Sequence, residues 1–100
     1  MTDAPTYSVD EARALLPQVR GTLLALALER RRNAGPNADL MALLQHLESL
    51  GVVVRDLDAG LVDIPTVRDG KPAWLCWRLS DPELGWWHTT SEGFTSRRPL

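Results

Sequence analysis

Apolar residues recur at helical spacing between Val9 and Leu50, and in short alternating runs broken by turn residues from Val52 onward. The first pattern predicts helices and the second an antiparallel sheet, so the fold class is α+β. Ser8-Val9-Asp10-Glu11 has the form of a capping box, with Tyr7 placed to pack over the first turn, so a helix starts at Val9. Pro17 has no backbone donor and clashes with the preceding turn. The expected reading is a helix interrupted near Pro17: a short piece from about Val9 to Leu15, then a second from Pro17 to about Arg32. A continuous, kinked helix is the alternative. Residues 33–37 have turn chemistry, Asn37 caps a further helix from Ala38 to Leu50, and Gly51 suits a left-handed terminus. The short link makes the two long helices an antiparallel hairpin.

Those two helices carry their apolar residues differently. Leu40, Leu43, Leu44, Leu47 and Leu50 form one stripe on the helix after Asn37. In the preceding helix Leu16, Val19, Leu23, Leu24, Leu26, Ala27 and Leu28 cover an arc of roughly 200°, where a core-facing stripe needs little more than about 100°. Leu24 and Leu28 form a second ridge, to be covered by the sheet or by a second copy of the chain. A homodimer with Leu24 and Leu28 in its interface is therefore expected.

In the sheet half, strands are predicted at about Val52–Asp56, Leu61–Val67, Ala73–Leu79 and Trp86–Thr89, a three- to four-stranded meander on which the helical hairpin packs. Asp69-Gly70 specifies a two-residue hairpin loop, which sets Ile64 opposite Leu75, Val62 opposite Trp77 and Asp63 opposite Cys76. Asp58-Ala59-Gly60 suits a three-residue loop, which sets Val54 opposite Ile64 and Arg55 opposite Asp63. The outer face then groups Arg55, Asp63, Cys76 and Arg78, either as a solvated cross-strand ion pair or as the start of a polar site. Ser80 to Gly85 can form loops of either parity. One parity turns His88 towards the helices beside Trp77, and the other places it near Arg78 and Asp63. Both stay open from the sequence. Residues 8–50 are thus helical, 52–90 sheet and 91–100 a C-terminal tail whose Phe94 docks, all within one domain over 1–100.

Composition narrows the function classes. The chain has 100 residues, 44% hydrophobic and 24% charged, as an ordinary globular domain has. Its net charge of −2 does not segregate between the halves, and the one basic cluster, Arg30 to Arg32, complements a helix C-terminus. A nucleic-acid partner is not expected. The longest apolar run, Leu23 to Leu28, is too short for a membrane span, and Met1 to Tyr7 lacks the pattern of a secretory leader, so a cytoplasmic location is expected. The lone Cys76 excludes an intramolecular disulfide and a cysteine-based zinc ribbon.

Tyr7-Ser8-Val9-Asp10-Glu11-Ala12-Arg13-Ala14-Leu15-Leu16-Pro17, Gly51, Leu57-Asp58, Gly60-Leu61-Val62-Asp63-Ile64-Pro65, Leu75-Cys76-Trp77, Trp87-His88, Gly93-Phe94, Arg97 and Pro99 together resemble the bacterial proteins grouped as domain of unknown function 2203. The resemblance spans nearly the whole chain and implies no particular activity. Ser80-Asp81 stands where that family commonly has a Gly-Glu step. Thr89 follows His88 where an acidic residue often does, so a family site that used that acid is either lost here or uses Glu92 instead.

Two functions compete. The first is a small interaction module, without cofactor, that self-associates through its long helix, a reading to which the four tryptophans contribute as interface or core residues. The second is a metal- or ligand-binding protein, including a metal-dependent hydrolase. Its candidate metal ligands are His88, Asp63 and Glu92 for a divalent ion, and its candidate binding residues are His88, Asp63, Arg55, Arg78, Trp87 and Arg97. A small molecule in a tryptophan-lined cleft belongs with this second reading. Cys76 is expected to be a structural cysteine, because Asp63 opposite it opposes thiolate formation.

Overall fold

The computed structural model describes residues 5–32, 35 and 37–100. The elements in chain order are α1 (Val9–Arg32), α2 (Ala38–Ser49), β1 (Val53–Asp56), β2 (Leu61–Arg68), β3 (Lys71–Trp77), β4 (Trp86–Thr89), a 3-10 turn (Phe94–Ser96) and β5 (Arg98–Pro99). The five strands form one antiparallel sheet in the order β1-β2-β3-β4-β5.

Local chemistry sets the helix ends. Ser8 N–H donates to Glu11 Oε1 at 2.9 Å and Glu11 N–H to Ser8 Oγ at 3.1 Å, the reciprocal capping box. Asn37 Oδ1 accepts from Leu40 N–H at 2.9 Å, and Gly51 takes φ +78 beyond α2. Most of the turn expected before Asn37 lies outside the described residues.

The expected interruption near Pro17 does not occur: α1 is one helix of 24 residues. Pro17 lies on the exposed side, and Arg13, whose carbonyl loses its helical partner there, is exposed as well, so water can satisfy that oxygen. Leu16 and Val19 on either side are anchored in the core, which holds the helix across the missing bond. Tertiary packing outweighs the local cost of proline.

The core lies between α1 and one face of the sheet. Ala12, Leu16, Val19, Leu23 and Leu26 meet Val62, Ile64, Leu75 and Trp77, with Leu47, Val52 and Leu84 closing the sides. The leucine stripe of α2 packs on its edge. Leu24 and Leu28 stay 54% and 56% exposed, so the sheet does not cover the second ridge.

The Asp69-Gly70 hairpin has the expected register, with φ of 53 and 75 at the two turn residues, and it pairs Val62 with Trp77, Asp63 with Cys76 and Ile64 with Leu75. The β1–β2 register differs from expectation: Val53 faces Asp63 and Val54 faces Val62, with an irregularity at Arg55 before Asp56 meets Leu61. The loop spans four residues rather than three because Asp56 Oδ1 accepts from both Asp58 N–H (3.0 Å) and Ala59 N–H (3.2 Å), an aspartate-capped turn. Gly60 closes it at φ +63, where a Cβ would come within 2.5 Å of the Leu79 side chain.

The sheet has five strands, not three or four, because the end of the expected tail pairs with β4. Trp86 faces Pro99, Trp87 faces Arg98, and Leu100 N–H donates to Gly85 O at 2.9 Å. Among the described residues no helix is long and apolar enough to cross a membrane.

Candidate functional site

Alternation along β2, β3 and β4 sends Val62, Ile64, Leu75, Trp77 and Trp87 to the helix side, and Asp63, Cys76, Trp74, Trp86 and His88 to the opposite face. The β3–β4 register therefore decides the parity that the sequence left open: His88 pairs with Trp74 on the outer face and reaches Asp63. Asp63 Oδ1 lies 2.9 Å from His88 Nε2, and Asp63 Oδ2 accepts from Arg55 Nε at 2.9 Å. Arg55 reaches Asp63 although it is not its cross-strand partner. His88 Nδ1 faces the Thr89 carbonyl at 2.8 Å.

An outer sheet face is ordinarily wet, yet Asp63, Cys76 and His88 are only 2%, 1% and 2% exposed. A roof of aromatic rings and arginines explains this. Arg55 lies over Trp74, Arg97 over both Trp86 and Phe94, and Arg78 over Phe94, at 4.4–5.2 Å from the ring centres. Asp81 fastens the roof: it accepts from Arg97 Nη1 at 2.9 Å and from Arg78 N–H at 3.1 Å.

Burial works against the Asp81 charge, but the Arg97 hydrogen bond, the Arg78 N–H and both guanidinium charges outweigh it and hold the carboxyl below its ordinary value of 3.8. A carboxylate lowered in this way stabilises the fold fully above that ordinary value. The contribution disappears as pH falls through the depressed one. Urea unfolding of the parent and Asp81→Asn at successive pH values is expected to show a stability gap that is constant near neutrality and closes in acid. A gap independent of pH would mean that ionisation of Asp81 is irrelevant to the clamp.

Beside the cluster is a cleft of about 370 Å³, walled by Arg55, Leu61, Asp63, Cys76, Thr90, Glu92, Gly93 and Phe94. Asp63, Cys76 and His88 each offer a ligand-type atom within 4.8 Å of the others, the one such group of three among the described residues. Burial first, and then the charge of Asp63, push the Cys76 thiol up to about 11, with Arg97 opposing.

The expected site residues divide accordingly. Asp63, His88 and Arg55 come together. Arg78 and Arg97 stand at the rim, engaged by Asp81 at 3.7 and 2.9 Å. Glu92 shares the cleft but not the cluster. Its carboxylate takes Thr89 Oγ1 at 2.9 Å and Arg98 at 3.1 Å, and Thr89 with Arg98 holds it below its ordinary value. Trp87 faces the helix side, under Arg68 and Arg98, and lines a different cleft of about 550 Å³ with Pro72 and Ala73. His46 is exposed and bonded to Gln18 at 2.7 Å. The structure places Cys76, expected from the sequence to be structural, in the same buried cluster as Asp63 and His88. The hairpin register already set it opposite Asp63, and what was missing was the position of β4.

These features define a two-helix, five-stranded α+β domain with a buried Asp–Cys–His cluster on the face away from its helices. The chain belongs to the family described as uncharacterized conserved protein (DUF2203), whose profile matches residues 27–100. Searches for curated proteins and for solved structures gave no match.

Proposed function

We propose that the chain is a small metal-binding protein that holds a zinc-type divalent cation between Asp63 Oδ1, Cys76 Sγ and His88 Nε2, with its fourth coordination position towards the cleft. The observation that carries this reading is the spacing of those three buried donors within 4.8 Å. Tetrahedral zinc, with bonds of about 2.0–2.3 Å, separates its donors by roughly 3.3–3.8 Å, so side-chain shifts of about 1 Å close the site. One thiolate, one imidazole and one carboxylate suit a borderline-soft ion, and three protein ligands leave a position for water or substrate.

The surroundings fit this role. Both ring nitrogens of His88 face oxygen acceptors, whereas a neutral ring has one N–H. The Thr89 carbonyl takes the Nδ1 proton and leaves Nε2 to meet Asp63, where either one further proton or a metal must bridge nitrogen and oxygen. Arg55 occupies Oδ2, so Oδ1 remains for the ion. The reading carries a cytoplasmic location, where a lone thiol stays reduced.

The test is tagless protein analysed for bound metal, then stripped and titrated with zinc and with cobalt(II). One equivalent per chain is expected, with a thiolate-to-cobalt charge-transfer band that Cys76→Ser abolishes. Zinc at a hundred times its Kd is expected to add about 2.7 kcal/mol, or roughly 10–20 °C in Tm. Binding displaces the Cys76 thiol proton, so the affinity rises with pH across the neutral range. No uptake and no thermal shift would dispose of the metal.

A second reading, a module that self-associates through its long helix, is favoured by the exposure of Leu24 and Leu28 and is independent of the cluster.

A further inference from the structure

The side of α1 turned away from the core is a continuous exposed stripe: Asp10, Ala14, Pro17, Gly21, Leu24, Leu28 and Arg31, spaced alternately four and three residues apart. That is the spacing of a seam between helices. The stripe is polarised, with Asp10 and Glu11 in the first turn and Arg31 and Arg32 in the last, all exposed. Its midpoint is Gly21. Glycine inside an exposed helix costs stability relative to alanine. Nothing among the described residues accounts for it, because a Cβ at Gly21 would meet none of their atoms within 4 Å. A missing side chain does have a use where two helix backbones must approach closely.

We infer that a second copy of the chain docks on this stripe, its α1 antiparallel to the first, about a twofold axis at Gly21. This rests on the self-association reading above and gives it a geometry. An axis at Gly21 brings Asp10 to the partner's Arg32, Glu11 to the partner's Arg31 and Ala14 to the partner's Leu28, and each pair recurs by symmetry. Each Leu28 then covers a small residue, while the two glycines meet backbone to backbone. A parallel pairing would instead set Asp10 against the partner's Asp10 and Arg32 against the partner's Arg32. Like charges at both ends disfavour it.

The full chain in sedimentation equilibrium should give twice its own mass, and Leu28→Glu should give a single chain with unchanged helix content, since Leu28 is exposed in the subunit. Reversing the two terminal arginines, Arg31→Glu with Arg32→Glu, should weaken association about tenfold at low salt. Geometry is read separately. Ala14→Cys with Leu28→Cys, which face each other across the seam, should oxidise to a covalent dimer. Leu28→Cys alone should not, because residue 28 and its symmetry mate lie about 21 Å apart along the helices. A single-chain mass at high concentration overturns self-association altogether. A dimer in which the Ala14→Cys, Leu28→Cys variant fails to link, or Leu28→Cys alone links as readily, overturns the antiparallel arrangement alone.

Discussion

Asp63→Ala, measured by urea unfolding with a chelator present, is expected to cost about 3 kcal/mol, the lower end of what breaking a buried ion pair costs. Asp63 and His88 have side chains 3% and 2% exposed, so water cannot replace the lost partner. The cost stays at the lower end because His88 keeps its contact with the Thr89 carbonyl. The Arg55–Asp63 contact adds little, since the Arg55 side chain is 46% exposed and its charge remains hydrated. A double-mutant cycle with His88→Ala isolates the pair and should give a coupling of about 1–3 kcal/mol. If Asp63→Ala costs under about 1 kcal/mol, the pair is worth no more than a surface ion pair. Burial of the cluster would then need another explanation.

Trp77→Ala is expected to lower stability by about 3–5 kcal/mol, the range for deleting a buried aromatic ring. Trp77, at the end of β3 on the helix side of the sheet, is fully buried, with the Arg20 guanidinium 4.9 Å from its ring centre. Its indole Nε1 is buried without a hydrogen-bond partner among the described residues. Trp77→Phe should therefore cost less than half as much as Trp77→Ala, because it removes an unpaired donor while keeping most of the apolar surface. Denaturant midpoints at unchanged m-value decide this. A phenylalanine variant as unstable as the alanine one would mean that the indole bicycle packs too closely to be shortened.

Both effects come from residues that the sequence places on opposite faces of one strand pair. Asp69-Gly70 admits one tight turn, and the alternation of Val62, Ile64, Leu75 and Trp77 agrees with it, so Asp63 and Cys76 were legible as neighbours. The capping box at Ser8 and the Asn37 cap were legible for the same reason, since their partners lie three residues away. The spare ridge of α1 was legible as well, because a helix has a known circumference and its apolar residues can be counted around it.

What the sequence determined by itself, then, was whatever is settled within a turn or two of chain: helix starts, one hairpin register, and an apolar surface too wide for one core. Tertiary structure alone decided that α1 runs through Pro17, because residues far along the chain anchor both sides of the break. It alone turned His88 towards Asp63, because the parity of β4 depends on a loop whose Asp81 is clamped by Arg97, sixteen residues later. Burial of Asp63, Cys76 and His88 also came from the far end of the chain, where Phe94 and Arg97 fold back over a face that would otherwise be wet. Those contacts depend on the summed geometry of every loop between them, which no short stretch of residues encodes.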